Sequence, residues 1–473
     1  MGEAMRVDLL VIGAGSAGMA AAVAAHKEGI ARILLVERTS RPGGVLPQCI
    51  HDGFGLMEFG SSLTGPEYAA RWEEALRQED ITLWLDATVL EITGSSPFRV
   101  RLADPVRGLS TITAKSIILA TGCRERALGQ LRVPGSRPAG IYTAGAAQYM
   151  MNQQNYLPGR SAVILGSGDI GLIMARRLTL EGIRVKLILG EKASGLIRNY
   201  IQCIRDFDLP IRFGFTVLSV HGYRRLKGIT IAPVDKAGRP DLARKQYIPC
   251  DTLLIAAGLI PETELWKGLG RPLSETAGIP VEQEVRTDCG GLFACGNVVR
   301  IYDTADEVSA CGRRAGEAAA CWLKKQTWEP RAAKTGMPPG KRLEEGSLEQ
   351  SAQLLLCTVC PNGCTLRVEE TEKALRISGN LCGQGEQFAR RELAAPERML
   401  TTTVRVQNGT GPLVPVKTAQ AIPKSQLAQA MRACASVNPE APVALGSVLI
   451  EDIVGTGVSL VATSDMPRRE GSE

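Results

Sequence analysis

Residues Val7 to Glu37 read VDLLVIGAGSAGMAAAVAAHKEGIARILLVE. An apolar run of strand length ends in Gly13-x-Gly15-x-x-Gly18, small helix-forming residues follow, and a second apolar run stops at an acid. Gly13 permits the tight turn out of the first strand, Gly15 lets backbone amides approach a pyrophosphate, and Gly18 lets the helix lie close on the sheet. The helix N-terminus adds partial positive charge. Glu37, at the tip of the second strand, is placed to accept hydrogen bonds from a ribose diol. A glycine-rich turn that binds nothing is the alternative. With strand, turn, helix, strand and acid all in register, the stretch predicts a dinucleotide site.

Beyond this stretch, the whole chain has 473 residues, 44% hydrophobic and 22% charged, which describes a globular protein with ample core and about three domains. Its 55 basic and 49 acidic residues leave a net charge of +6 without a basic block interleaved with aromatics, so no nucleic-acid partner is expected. The apolar start carries Asp8 and is broken by glycines, which fits a strand and turn better than a signal peptide. No stretch has the length of a transmembrane segment. Thirteen cysteines, four of them clustered, suit a reducing compartment and a metal site better than a disulfide framework, so the expected location is cytoplasmic.

After Glu37 comes the loop RTSRPGGVLPQCIHDGFGL, in which Gly43 and Gly44 again allow backbone to approach a bound dinucleotide. Cys49 and His51 follow, a thiol and an imidazole that are candidates for redox or acid/base chemistry. The alternative is a packed thiol and a hydrogen-bonded loop histidine. No second cysteine stands within six residues, so an internal dithiol is excluded there. Residues 64–80 have the pattern of an amphipathic helix, and 81–119 that of short strands ending in Ser116 to Ala120, with Thr121-Gly122 returning the main chain toward the first turn.

The pattern restarts at Ser161 to Glu191, SAVILGSGDIGLIMARRLTLEGIRVKLILGE, with the turn Gly166-x-Gly168-x-x-Gly171. The position matching Glu37 is Gly190, and Glu191 and Lys192 follow it side by side, which leaves NAD and NADP both open. Residues 211–250 alternate as antiparallel strands would. Thr252 to Gly258 is another apolar run ending in glycine, TDCGGLFACGN (287–297) another strand, and Ala305 to Leu323 a small-residue helix.

Two Gly-x-Gly-x-x-Gly units, Thr121-Gly122, Ala257-Gly258 and TDxxGLFACGN, in this order, resemble the two-dinucleotide-binding-domain flavoproteins of the pyridine nucleotide-disulfide oxidoreductase class. The resemblance implies an α/β fold of two Rossmann-like domains of three-layer ββα type, with FAD on the first unit and NAD or NADP on the second. By the same resemblance Gly13, Gly15, Ser16, Ala17 and Gly18 face the FAD pyrophosphate, and Glu37 and Arg38 its adenosine ribose. Gly44, Val45, Val89, Ala120, Thr121, Gly122, Gly296 and Asn297 complete that site. Gly166, Gly168, Asp169, Ile170, Gly171, Glu191 and Gly258 are the corresponding NAD(P) set. Asn297 stands where the class usually has Asp, so that contact keeps its hydrogen bonds and loses its charge. A helix starting near Glu307 would aim its N-terminal amides at the flavin. The class's redox-active cysteine pair is absent, which argues against disulfide reductase activity.

The implied domains are 1–122 with 251–325 for FAD and 123–250 for NAD(P). A polar linker at 326–350 then leads to a smaller β-rich four-cysteine domain at 351–466. Its opening, QLLLCTVCPNGCTL, sets Cys357, Cys360 and Cys364 in one loop, with Cys382 in GNLCGQG. Three thiolates in a tight loop and a fourth from afar suit a 4Fe-4S cluster. Zinc is the alternative, although its sites prefer two separated Cys-x-x-Cys knuckles. CPNGC, GNLCGQG, TTTVRV, PVKT and GTGVSLVAT resemble a four-cysteine domain that accompanies such flavoproteins, often beside a glycerol-3-phosphate dehydrogenase-like protein. The expected function is an FAD-dependent NAD(P)H oxidoreductase passing electrons through the cluster, within a hetero-oligomer that includes a dehydrogenase subunit. The alternatives are a self-contained reductase of a small substrate using Cys49 with a zinc tail, and a non-catalytic docking subunit.

Overall fold

The computed structural model describes residues 5–192, 196–328, 354–360, 362–370 and 375–469. Within them the helices run, in chain order, α1 (Ser16–Lys27), α2 (Gly65–Gln78), α3 (Ala144–Gln154), α4 (Asp169–Leu180), α5 (Ile197–Cys203), α6 (Glu264–Gly268), α7 (Ala305–Leu323), α8 (Gly383–Ala394) and α9 (Leu427–Ala435). None of them is long and apolar enough to cross a membrane. The chain divides into two compact units, one of Met1–Arg124 with Leu259–Gly336, the other of Glu125–Gly258 with Met337–Glu473.

The first unit is organised by Met5–Ile12, which pairs in parallel with Ile33–Val36 on one side and with Gly108–Leu119 on the other. Alternation decides its burial. Leu9 and Val11 enter the core under α1 and α7, while Leu10 and Ile12 enter a second core with Phe98 and Trp266 on the opposite face. Strand Gly108–Leu119 serves two layers, because its later residues continue the parallel sheet while its earlier ones pair antiparallel with Phe98–Asp104. Leu292–Ala294 closes the parallel half. Helices α1 and α7 pack backbone to backbone. A Cβ on Gly312 would stand 2.1 Å from the Ala17 carbonyl oxygen, and one on Gly316 2.2 Å from that of Ala21, so only glycine permits this approach.

In the second unit a five-stranded parallel sheet runs in the order Ile141–Thr143, Thr252–Ile255, Ser161–Leu165, Arg184–Gly190 and Ile211–Phe213. Residues 215–249 form the expected antiparallel strands. Ile211–Phe213 differs from expectation: it extends the parallel sheet, because a three-residue segment carries too little alternation to show its partner's direction. The C-terminal region is β-rich, with antiparallel sheets at 354–378 and 401–462. It also contains α8 and α9, which are not foreseen in the sequence pattern because each lies among β-patterned segments.

This C-terminal body is joined to α4 and the turn after α5. Arg177, 6% exposed, donates to Asn152 Oδ1 at 2.8 Å, to Thr402 Oγ1 at 3.2 Å and to Thr403 Oγ1 at 3.1 Å, and pairs with Glu181. Arg176 donates to the Met399 carbonyl at 2.8 Å. Leu180 and Phe207 pack against the core of Val404, Val416 and Leu460. Most of the linker expected at 326–350 lies outside the described residues.

Candidate functional site

The first glycine turn separates three tasks. Gly13 has φ +102°, and a Cβ there would stand 2.5 Å from the Ala120 carbonyl oxygen; a Cβ on Gly18 would stand 1.8 Å from the Gly13 carbonyl oxygen. Both positions are closed by the fold itself. Gly15 is different, since its Cβ would meet nothing within 4 Å, and it caps the N-terminus of α1, whose first residues Ser16 and Ala17 are buried. That open space above a helix N-terminus is where an anionic group is favoured.

Glu37 is tied to the same turn. Its Oε2 accepts from the Ala14 N–H at 2.9 Å, and its Oε1 accepts from the N–H and hydroxyl of Thr39 at 3.0 and 2.9 Å. The carboxylate is held in one orientation at the strand tip, with Arg38 exposed beside it. Gly44 approaches from above, 3.2 Å from its would-be Cβ to the Gly15 Cα, with Val45 61% exposed next to it. Gly296 reaches α1, its would-be Cβ 2.9 Å from that of Ala17. The Asn297 side-chain oxygen accepts from the Tyr302 N–H at 3.1 Å. Thr121 Oγ1 donates to the Glu262 carbonyl at 2.7 Å, and the Gly122 carbonyl accepts from the Glu262 N–H at 2.9 Å. Ala120 and Thr121 thereby stand against Gly13, and Gly296 against Ala17, while Gly122 is tied to Glu262 and Asn297 to Tyr302, past the ends of strands Gly108–Leu119 and Leu292–Ala294. Val89 is half-buried against the second core on Thr88–Thr93.

Helix α7 starts where the sequence places it. Thr304 and Glu307 form a capping box, with the Thr304 hydroxyl accepting from the Glu307 N–H at 3.3 Å and the Glu307 carboxylate accepting from the Thr304 N–H at 3.1 Å. Asp306 is not among the residues expected at this site. Its buried carboxylate accepts from the Gly55 and Met57 N–H groups at 3.0 and 2.9 Å, and burial pushes its pKa upward. Arg313 meets Glu58 through two bonds of 2.8 and 2.6 Å. Together they clamp the loop after Cys49 onto α7. No local signal marks these pairs, since their partners lie some 250 residues apart.

Cys49 is 9% exposed, and burial pushes its thiol up to about 12. A Cβ on Gly65 would stand 2.9 Å from the Cys49 Cβ, so helix α2 begins directly against it. Thiolate chemistry needs the ionised form, which this environment disfavours. His51 is half-buried, its ring 4.9 Å from that of Phe54 and its Nδ1 3.2 Å from the Asp52 carbonyl oxygen.

The second turn repeats the first. Gly166 has φ +124° and its would-be Cβ lies 2.1 Å from the Ala256 carbonyl oxygen, while that of Gly171 lies 2.3 Å from the Gly166 carbonyl oxygen. Gly168, the N-cap of α4, opens to space with nothing within 4 Å. Asp169 Oδ1 accepts from the Leu196 N–H at 2.7 Å and from Asn199 Nδ2 at 2.8 Å, and Ile170 beside it is half-buried. Ser167 Oγ donates to the Lys192 carbonyl at 2.6 Å and fills the space where a Gly190 side chain would stand. Glu191 and Lys192 are both exposed at the strand tip. Gly258, at φ +99°, also faces open space.

Residues 7–312, holding both turns, match the family described as pyridine nucleotide-disulphide oxidoreductase. The chain belongs to that family. Its membership brings FAD and a nicotinamide nucleotide as the cofactors of the class, and the two open glycine positions fit their two pyrophosphates. Among curated members, the hydrogen cyanide synthase protein HcnB of Pseudomonas aeruginosa is 29% identical over 56% of this chain and 60% of that protein. An opine oxidase component of Agrobacterium tumefaciens is 28% identical over 67% of this chain and 66% of that protein. The chain therefore spans less than two thirds of these relatives' own length. Thioredoxin reductase from T. acidophilum superposes with a TM-score of 0.55 at 22% identity, covering 67% of this chain and 98% of that one, and shares the two-domain fold.

Residues 383–464 match a second family, described as a protein of unknown function, DUF1667. The match starts directly after Cys382. Cys357 is buried, Cys360 and Cys364 are half-buried, and Cys382 is exposed at the N-cap of α8. The Cys357 N–H donates to the Cys364 carbonyl at 2.9 Å, which folds the loop back on itself. Burial raises the pKa of Cys357 and Cys360, and the neighbouring cysteines push in the same direction. The four thiols thus share one electrostatic neighbourhood. Among the described residues, however, no three His, Cys, Asp or Glu side chains are gathered as a metal-holding group. The all-sulfur donor set suits a soft metal centre in its chemistry, and the side chains would have to draw together to close on it.

Proposed function

We propose that this chain is an FAD-dependent NAD(P)H oxidoreductase that works as the electron-transfer subunit of a complex with a substrate dehydrogenase. The observation that carries the reading is the pair of glycine turns, each closed by packing at two positions and open at the third, Gly15 and Gly168. FAD, when bound, supplies a hydride acceptor able to pass electrons on singly, and a 4Fe-4S cluster supplies a one-electron carrier. The chain's own part is to hold and orient. Glu37 and the α1 N-terminus receive the first dinucleotide, Gly168 and the α4 N-terminus the second, and Asp306 with Arg313 fixes the loop that carries His51.

The C-terminal cysteines Cys357, Cys360, Cys364 and Cys382 are the proposed ligands of the cluster. Relatives named as subunits of hydrogen cyanide synthase and opine oxidase support a role inside a larger assembly. A glycerol-3-phosphate dehydrogenase-like protein or a related dehydrogenase is the proposed partner. The buried, protonated state of Cys49 weighs against the alternative in which that thiol reduces a small substrate. The proposed domain limits are 1–122 with 251–325, 123–250, and 351–466.

Purification without oxygen tests the assignment. The expected product is yellow-brown, holds FAD, iron and sulfide, and is bleached by NADH or NADPH. Cys360→Ala should remove iron and sulfide while NAD(P)H still reduces the flavin. Stoichiometric zinc with neither iron nor sulfide would overturn the relay and leave a structural metal in the tail.

A further inference from the structure

The two glycine turns treat the end of the following strand in opposite ways. After the first turn the strand leads to Glu37, whose buried carboxylate accepts from the N–H of Ala14, the residue between Gly13 and Gly15. In the second turn Ser167 takes the place of Ala14, and Gly190 that of Glu37. No side chain fits there, because a Cβ on Gly190 would stand 2.3 Å from Ser167 Oγ. The Ser167 hydroxyl donates instead to the Lys192 carbonyl at 2.6 Å, which holds the backbone of Lys192 against the turn. Glu191 lies between them, and its own carbonyl accepts from the Gly214 N–H at 3.1 Å, so the sheet continues through it. Side chains alternate across a strand, which puts Glu191 on the face opposite to that of Gly190 and the turn.

An acid fixed at this strand end accepts hydrogen bonds from the free ribose diol of NAD and repels the 2′-phosphate of NADP, whereas a cation beside it accommodates that phosphate. The second turn has no acid fixed on its face. Lys192 is exposed, and it carries its charge on a flexible four-carbon stem from a backbone tied to the turn. The surrounding charge agrees. Over residues 125–250 Lys and Arg outnumber Asp and Glu by more than two to one, whereas over residues 1–124 the acids are in slight excess. A domain with such an excess draws the more anionic of two otherwise equal ligands, and a phosphate monoester adds about two negative charges.

We propose that the second unit takes the 2′-phosphorylated dinucleotide, NADP(H), in preference to NAD(H), and that Lys192 is the residue that meets the 2′-phosphate. The proposal rests on the reading of the Gly166–Gly171 turn as the nicotinamide nucleotide site. It makes Lys192 a specificity-determining residue, placed by Ser167 and by the lack of a side chain at Gly190. The two nucleotides share the same nicotinamide, so the preference is one of binding and shows in affinity, not in the rate of the bound complex.

The test mixes the full chain, with FAD bound and oxygen excluded, with NADPH or NADH and follows flavin bleaching as a function of nucleotide concentration. The apparent Kd for NADPH is expected to lie at least about tenfold below that for NADH, the worth of one charge-assisted contact. The gap should narrow as salt screens the phosphate. Calorimetric titration with adenosine 2′,5′-bisphosphate and with 5′-AMP should give the same order without any hydride transfer. Lys192→Ala should close most of the gap, and Lys192→Arg should keep it. Lys186→Ala removes an equal charge from the strand that leads to Lys192, but the Lys186 ammonium is committed to the Pro249 carbonyl, so this variant should leave the gap in place. Equal or tighter binding of NADH, a gap that survives Lys192→Ala, or one that Lys186→Ala closes as well, overturns the proposal. If neither nucleotide bleaches the flavin, the reading of the second turn as a nucleotide site fails and the preference with it.

Discussion

The Arg398 guanidinium lies 2.5 Å from the Asp206 carboxylate, with both side chains 5% exposed. Arg398 also grips Glu392 at 2.6 Å, and Lys424 reaches Asp206 at 3.0 Å, so two cations and two anions balance inside one partly buried cluster. Asp206 belongs to the turn after α5 and the other three to the C-terminal body, which makes the cluster a bond between two parts of the second unit.

Breaking a buried pair leaves one charge without a partner, which costs about 3–5 kcal/mol. Asp206→Ala should therefore lower the unfolding free energy of the second unit by about 3 kcal/mol, read from urea denaturation. The double variant Asp206→Ala/Arg398→Ala should lose less than the sum of the two single losses. A loss under about 1 kcal/mol for Asp206→Ala would show that the cluster is solvated and adds little to the joint.

Gly168→Leu should stop NAD(P)H from bleaching the flavin without releasing FAD. Its backbone, at φ −75° and ψ 170°, accepts any residue, and its side chain would enter open space, so the fold is preserved while the pyrophosphate is displaced. Gly166→Ala differs in kind, because its Cβ would stand 2.1 Å from the Ala256 carbonyl oxygen, and it should destabilise the second unit outright. Stopped-flow bleaching and thermal melting separate the two; loss of FAD from Gly168→Leu would reverse the assignment of the turns.

Cys49→Ser should leave nicotinamide-driven flavin reduction within about tenfold of the parent. A loss beyond about a hundredfold, equivalent to some 2.7 kcal/mol of barrier, would give the thiol a catalytic role. Its folded pKa of about 12 lies above the ordinary 9.0, so the native state keeps the proton that the unfolded chain releases. The thiol's contribution to stability is thus complete below about pH 9 and is lost as pH rises toward 12. Cys49→Ser should flatten part of the alkaline decline in unfolding free energy, measured from pH 8 to pH 11.

Local chemistry along the chain was enough to place the two glycine turns, the strands and helices around them and the start of α7. Each is written in contiguous residues whose backbone or capping needs are met by near neighbours: Gly13 and Gly166 for their positive φ, Thr304 and Glu307 for their reciprocal hydrogen bonds. The α/β class followed, because the turns stand between apolar runs of the right length. Helices α8 and α9 escaped, since they lie among segments whose pattern is that of strands.

The surroundings of the candidate residues were settled by tertiary contacts instead. Cys49 and His51 look alike as reactive side chains in the sequence, yet the start of α2 buries the thiol while the imidazole is left half-open beside Phe54. Asp306 binds a loop 251 positions away, and Arg177 reaches threonines 225 and 226 positions away. The two ends of α5 are held in the same way, by Asp169 on one side and Thr358 on the other. Burial and ion pairing depend on which distant segments meet, and a one-dimensional pattern carries no record of that meeting.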